Sequence, residues 1–245
     1  MIPKIIHYCW FSGDKKPKSI QRCIDSWQRV MPDYSIKCWD GDSFDFNSLS
    51  FTKEAIELKQ YPAAADYVRL YALYTEGGIY LDSDVLVLRP FNDLLSNSFF
   101  SGTETYMVDN KRHYRIEAAI IGAERGHPFV KECMTYYELK SFIGKDGTRD
   151  NQHIVMPTVM SNFAEQYGYE YINHYQLLNG NITIYPTSVF NNTLSHDIID
   201  SKKIYAVHQN AGSWIDYSNR GWLYRFCRKH DLMNFYNMLE KKTNN

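Results

Sequence analysis

The chain has 245 residues, 44% of them hydrophobic and 22% charged, a composition that excludes disorder throughout and a length that can bury a core without staples. Its 27 basic and 28 acidic residues leave a formal charge of -1, so there is no electrostatic footprint for nucleic acid. No apolar run approaches the roughly 18 residues that a transmembrane helix needs.

The chain opens on Met1-Ile2-Pro3-Lys4, which leads directly into Ile5-Ile6-His7-Tyr8-Cys9-Trp10. The basic region, apolar stretch and small-residue cleavage site of a secretory leader are not seen there, which predicts a cytoplasmic protein. The five cysteines, Cys9, Cys23, Cys38, Cys133 and Cys227, are odd in number and form no CxxC, so free thiols in a reducing compartment are expected. Aromatic residues reach 16%, a level that suits the binding of sugars and bases and equally suits an aromatic core.

Lys4 to Phe11 reads as a buried strand ended by Ser12-Gly13-Asp14. Pro17 to Met31 reads as a helix, with Ile20, Ile24, Trp27 and Val30 at spacings of three and four. Tyr34 to Trp39 alternates and predicts a second strand. Strand, helix, strand at this spacing opens an α/β fold with a parallel sheet. Pro62 suits the first turn of a helix that runs to Glu76, and Gly77-Gly78 ends it. Ile79-Tyr80-Leu81 is a short strand, Asp82-Ser83-Asp84 interrupts it, and Val85 to Leu88 continues as an apolar run. Ala118 to Gly122 reads as a buried strand, Pro128 to Tyr137 as a helix, residues 141–153 as a loop and Val155 to Tyr167 as a helix. Residues 182–209 alternate between short strands and turns. Trp222 to Lys242 reads as an amphipathic helix. With no internal repeat or linker, a single domain over residues 1–245 is expected.

The chemistry concentrates between residues 62 and 91. Two acids inside a buried strand pattern are costly unless they are paired or bind a metal. Asp82 and Asp84 lie two apart, so on an extended backbone they share a side. A divalent cation, Mg²⁺ or Mn²⁺, would relieve their repulsion and accept phosphate oxygens as well. Asp66 and Arg69 share one helix face, where Arg69 could neutralise phosphate and Asp66 accept hydrogen bonds from hydroxyls.

The run Asp66-x-x-Arg69-x-x-x-Leu73-x-x-x-Gly77-Gly78-x-Tyr80-x-Asp82-x-Asp84 resembles the DXD sugar-transferase signature of glycosyltransferase family 32, whose members include bacterial capsule and lipopolysaccharide transferases, yeast initiating mannosyltransferases and clostridial toxin glucosyltransferase domains. Ile2 to Trp10 resembles the first strand of that family, and Val207-His208 with Ser213-Trp214 its C-terminal active-site segment. The resemblance implies a GT-A fold: an α/β architecture with a Rossmann-like, mostly parallel central sheet flanked by helices. It also implies a retaining, metal-dependent transfer from a nucleotide-diphosphate sugar, with a UDP-sugar foremost, to a glycan or lipid-linked oligosaccharide acceptor in bacterial surface polysaccharide synthesis. Carried onto this chain, Trp10 would stack on the base, Asp66 and Arg69 would hold the donor sugar, and Gly78 and Tyr80 would lie near the nucleotide. Asp82 would touch the ribose and the metal, Asp84 and His208 would bind the metal, and Ser213 and Trp214 would close over the diphosphate. Many relatives carry Ser before the first aspartate, where this chain has Ala65. Glu117 could face the acceptor or solvent.

Two other readings remain at this stage. Leu81 to Val85 also resembles the aspartyl-phosphate motif of haloacid-dehalogenase-type phosphatases, with Asp82 as nucleophile. A sugar-nucleotide-binding protein without turnover is the non-enzymatic alternative. The segment 222–242 combines an apolar face with Arg225, Arg228, Lys229, Lys241 and Lys242, so it could either pack on the domain or contact the inner face of the plasma membrane peripherally.

Overall fold

The computed structural model describes residues 1–144, 154–192 and 203–211. In chain order the elements are β1 (Ile5–Cys9), α1 (Lys18–Val30), β2 (Ser35–Trp39), α2 (Ser50–Glu57), α3 (Tyr61–Glu76), β3 (Gly78–Leu81), β4 (Val85–Val87), β5 (Phe99–Val108), β6 (Lys111–Ala123), α4 (Pro128–Glu138), α5 (Met156–Ala164), β7 (Gln176–Leu178), β8 (Ile182–Tyr185), β9 (Phe190–Asn192) and β10 (Ala206–His208). The expected loop over 141–153 lies largely outside the described residues, and the expected helix 222–242, Cys227, Ser213 and Trp214 lie wholly outside them. Among the described residues no helix is long and apolar enough to cross a membrane, and Cys9, Cys23, Cys38 and Cys133 are free thiols.

Seven strands form one sheet in the order β2-β1-β3-β6-β5-β8-β7. Only β6 and β7 oppose the common strand direction, so the sheet is mixed but mostly parallel. Helices cover it, as expected of a GT-A-type α/β fold. Successive strand residues point to opposite faces. Tyr80 and Ile121 therefore join the core under α2 to α5, while Ile79, Leu81 and Ile120 join the core that contains Trp27 of α1. β4 leaves the large sheet and pairs antiparallel with β10, which also pairs with β9.

The site sits where this departure occurs. The sequence suggested one extended strand broken by polar residues, with Asp82 and Asp84 on the same side of it. Instead the chain turns: the Val85 N–H donates to the Asp82 carbonyl at 2.9 Å. It is this tight turn, not an extended backbone, that brings the two carboxylates together.

α1 fixes the strand that follows. Trp27 Nε1 donates to the Val85 carbonyl at 2.7 Å, and the Val87 N–H donates to Ser26 Oγ at 3.0 Å. Ser26 and Trp27 are fully buried. Ser26→Ala is expected to destabilise the fold by about 1–3 kcal/mol, because the Val87 N–H loses its acceptor away from water. Urea unfolding measures this, and an unchanged midpoint would contradict the clip.

α3 starts with Pro62 in its first turn and stops at Gly77, whose φ of 69° lies in the left-handed region. The helix delivers Arg69 to the sheet, and β3 leads straight from its end into the Asp82 turn.

Candidate active site

Asp82, Ser83 and Asp84 line an open cleft of about 1010 Å³. One wall comes from the loop after β1, including Trp10, Ser12, Asp14 and Lys15. Another comes from Leu58 to Pro62 at the start of α3. Ala65, Arg69 and Tyr80 line it as well, and His208 and Asn210 complete the lining.

Arg69 is 5% exposed and is held on several sides. Its Nη1 donates to the Ala118 carbonyl at 2.7 Å and lies 3.4 Å from Asp82 Oδ1. Nη2 donates to Asp66 Oδ1 at 3.0 Å, and Nε donates to the Ala65 carbonyl at 3.2 Å. The guanidinium also lies over the Tyr80 ring, 4.7 Å from its centroid. Burial works against its charge, but Asp82, Tyr80 and Asp66 outweigh it and hold the guanidinium protonated. Tyr80 donates its hydroxyl to Asp82 Oδ1 at 2.9 Å, and burial pushes that phenol well above its usual range. Asp82 is thus oriented by one cation and one neutral donor.

Asp84 is fixed by the chain around β10. Its Oδ2 accepts the Ala211 N–H at 2.7 Å, and its carbonyl accepts the Gln209 N–H at 3.1 Å. Its Oδ1 lies 3.5 Å from His208 Nε2. Burial raises the Asp84 pKa, the His208 charge opposes the rise, and Asp82 adds to it. The other ring nitrogen of His208, Nδ1, lies 3.1 Å from Glu117 Oε1. Burial lowers the imidazole pKa, but Glu117 and Asp84 raise it further, to about 10.

Ligand atoms of Asp82, Asp84 and His208 lie within 4.8 Å of one another. Two carboxylates and one imidazole form a mixed oxygen and nitrogen donor set that could hold a divalent cation, and the open cleft beside them leaves room for further ligands.

The structure therefore brings Trp10, Arg69, Tyr80, Asp82, Asp84 and His208 to one cleft. Trp10 donates Nε1–H to the Asp14 carbonyl at 2.8 Å, which fixes its ring at the rim, and Lys16 Nζ lies 5.4 Å from the ring centroid. Two expected residues sit elsewhere. Asp66 does not line the cleft; its carboxylate is turned to Arg69 and its side chain is 13% exposed. Gly78 is buried in β3, away from the cleft. Its φ is 111°, and a Cβ there would lie 2.6 Å from the Ile5 carbonyl oxygen. This glycine lets β3 pack against β1. Its neighbour His7 ties the same joint together, with Nε2 2.8 Å from the Gly77 carbonyl oxygen and Nδ1 accepting from Trp39 Nε1 at 3.1 Å.

Glu117 is 2% exposed and faces His208, not the cleft. Sequence reasoning missed this contact because it spans 91 positions. It also missed Ala118, whose carbonyl anchors Arg69. Asp82, the nucleophile of the phosphatase reading, lies on the turn after the third strand, and Arg69 and Tyr80 already hold one of its oxygens.

A mostly parallel sheet, a DXD turn at a strand end and a buried arginine behind it are thus brought together in one cleft. Residues 17–101 match the family described as the glycosyltransferase sugar-binding region containing DXD motif. It is 30% identical over 134 residues to an uncharacterized glycosyltransferase of Acanthamoeba polyphaga mimivirus, covering 52% of each chain. It is 31% identical over 141 residues to inositol phosphoceramide mannosyltransferase 3 of Schizosaccharomyces pombe, covering 54% of this chain and 36% of that one. The matches thus span about half the length of the first relative and about a third of the second. A solved structure, the apo form of the glycosyltransferase GlyE of Streptococcus pneumoniae, overlays with a TM-score of 0.49 at 11% identity, covering 98% of this chain and 64% of that one.

Proposed function

We propose that the protein is a retaining, metal-dependent glycosyltransferase that moves a sugar from a nucleotide-diphosphate donor to a glycan or lipid-linked oligosaccharide acceptor, in the synthesis of a bacterial surface polysaccharide. The observation that carries this reading is the convergence of Asp82, Asp84 and His208 within 4.8 Å beside a cleft backed by Arg69. In it, Asp82, Asp84 and His208 would hold a divalent cation, whose chemistry there would be Lewis-acid stabilisation of a diphosphate. Arg69, fixed before substrate arrives, places positive charge where the leaving group becomes more negative. Trp10 offers a ring at the cleft rim for the base, and Tyr80 holds Asp82 in position.

The acidic residues among those described that line the cleft are Asp14, Asp82 and Asp84. Two of these form the metal group, and Asp14 lies on the Trp10 loop. Asp66 is turned to Arg69 and Glu117 is buried behind His208. The reaction we propose is same-face attack, in which the acceptor hydroxyl bonds to the anomeric carbon and the departing phosphate oxygen takes its proton. A carboxylate nucleophile is then unnecessary.

A UDP-sugar carrying galactose, glucose or N-acetylglucosamine is the first choice of donor. The name of the fission-yeast relative adds mannose and supports a lipid-linked acceptor. Such an acceptor would place the enzyme on the inner face of the plasma membrane, with residues 222–242 as the contact.

Release of nucleoside diphosphate from a panel of nucleotide sugars tests this reading, since slow hydrolysis needs no acceptor. One donor is expected to be cleaved with Mn²⁺ and not with EDTA. Cleavage that persists in EDTA would overturn metal dependence. If the cleft instead served binding without turnover, a nucleotide sugar would raise the melting temperature in Mn²⁺ yet release nothing, even with candidate acceptors.

A further inference from the structure

We infer that Glu117 is a positioning residue for the metal group: it fixes the tautomer and the ring orientation of His208, so that Nε2 faces the cation while Nδ1 stays protonated. The inference rests on the proposed metal site and adds a residue behind it.

Three observations carry it. First, Glu117 Oε1 lies 3.1 Å from Nδ1, whereas Nε2 lies on the side of Asp84, 3.5 Å from Oδ1. A carboxylate accepts hydrogen bonds and donates none, so the nitrogen facing it carries the hydrogen. With Nδ1–H committed to Glu117, Nε2 is the nitrogen that would give up its proton to a bound cation, on the side of the two aspartates. An imidazole ligand held from behind by a carboxylate has a fixed ring and a more basic donor nitrogen.

Second, Glu117 is itself fixed. It is 2% exposed, and Oε1 accepts the Ala119 N–H at 3.2 Å. The nearby acid, Glu104 on β5, pairs with Arg115, which also donates from Nη1 to Thr158 at 3.1 Å. Arg115 thereby answers Glu104, and the Glu117 carboxylate is turned to the imidazole. Burial raises the Glu104 pKa, as does the Glu117 charge, to about 7.

Third, the contact joins two sheets. Glu117 belongs to β6 of the large sheet and His208 to β10 of the small one. The chain leaving His208 supplies the Gln209 and Ala211 N–H groups that hold Asp84. Orienting His208 therefore also registers the backbone that orients a second ligand.

Glu117 does not line the cleft, so its effect should be read in metal affinity. The measurement is Mn²⁺ affinity by titration calorimetry for the wild type, Glu117→Met, Glu117→Gln, His208→Ala and the Glu117→Met/His208→Ala double variant. Methionine keeps the volume and removes the acceptor. Glu117→Met is expected to weaken Mn²⁺ binding by about 10- to 100-fold, the usual cost of losing such a partner. Glu117→Gln should recover much of that loss, because its amide oxygen still accepts from Nδ1–H. The double variant should be no weaker than His208→Ala, since Glu117 acts through the imidazole.

Unchanged affinity in a folded Glu117→Met protein, with His208→Ala impaired, would overturn the inference and leave the metal site standing. Additive losses in the double variant would overturn it as well. No Mn²⁺ binding by the wild type would be a failure of the metal site itself, and the inference would fall with it. Should Glu117→Met not fold, ¹⁵N-histidine spectra of the wild-type protein with Zn²⁺ decide the point. The hydrogen is expected on Nδ1 of His208 and the metal shift on Nε2; the opposite pattern would overturn the proposal.

Discussion

Asp84→Ala is expected to lower metal-dependent nucleoside diphosphate release from the preferred donor by on the order of 10³-fold, the scale seen when one preorganised electrostatic contact to a developing charge is removed. Asp84 has two tasks in this site. One oxygen lies 3.5 Å from His208 Nε2, and the other accepts the Ala211 N–H. Alanine removes a charged ligand and frees the backbone after β10 from its anchor, which also displaces His208. Asp84→Asn separates these effects, since its amide oxygen can still accept the N–H while the charge is lost. It should fold like the wild type and still release nucleoside diphosphate slowly. Raising Mn²⁺ should restore part of the activity of Asp84→Asn and little of that of Asp84→Ala. Wild-type turnover in either variant would exclude Asp84 as a ligand.

The second large effect concerns stability. Arg69→Ala is expected to cost about 3–5 kcal/mol, the usual result of removing one partner from a buried charge pair and leaving the other behind. Arg69 joins α3 to β6 through the Ala118 carbonyl, and its charge answers both Asp66 and Asp82. Its removal leaves both acids without this cation and the Tyr80 ring without the guanidinium above it. Arg69→Lys should fall between wild type and alanine. One ammonium is a point charge on a flexible stem and cannot reproduce contacts made by three separate nitrogens. Urea unfolding of the three proteins, read beside donor turnover, checks this. A variant Arg69→Ala as stable as the wild type would show that the guanidinium is not a structural tie.

Much of this was legible because it is local. Pro62 and Gly77 bracket α3, and the apolar spacing through Ile20, Ile24 and Trp27 marks α1. Both signals lie within a few turns of chain. The Asp82-x-Asp84 spacing, and the resemblance at Val207-His208, singled out three residues whose ligand atoms lie within 4.8 Å of one another. What stayed hidden depends on contacts far apart in sequence. β5 was not anticipated because Ser101, Thr103, Glu104 and Thr105 are buried polar residues that erase the apolar alternation of a strand. Ser101 Oγ finds its partners in the Glu117 and Ile120 carbonyls on the adjacent strand, which no local pattern reveals. The eight-residue α2 is too short for its periodicity to stand out. Asp66 reads as a ligand-facing acid from its spacing to Arg69, yet the packing of α3 turns it to the guanidinium and off the cleft. Gly78 belongs to the motif for a steric reason, the approach of the Ile5 carbonyl, that only the packed sheet shows.

The account rests on a divalent cation held at the Asp82–Asp84 turn. A crystal of the protein grown with Mn²⁺ and a nucleoside diphosphate, with anomalous diffraction recorded at the manganese edge, tests this most directly. The account predicts one strong peak among Asp82, Asp84 and His208, in contact with the diphosphate and absent from Asp84→Ala crystals. Nucleotide density in the cleft with no anomalous peak at these three residues would contradict it.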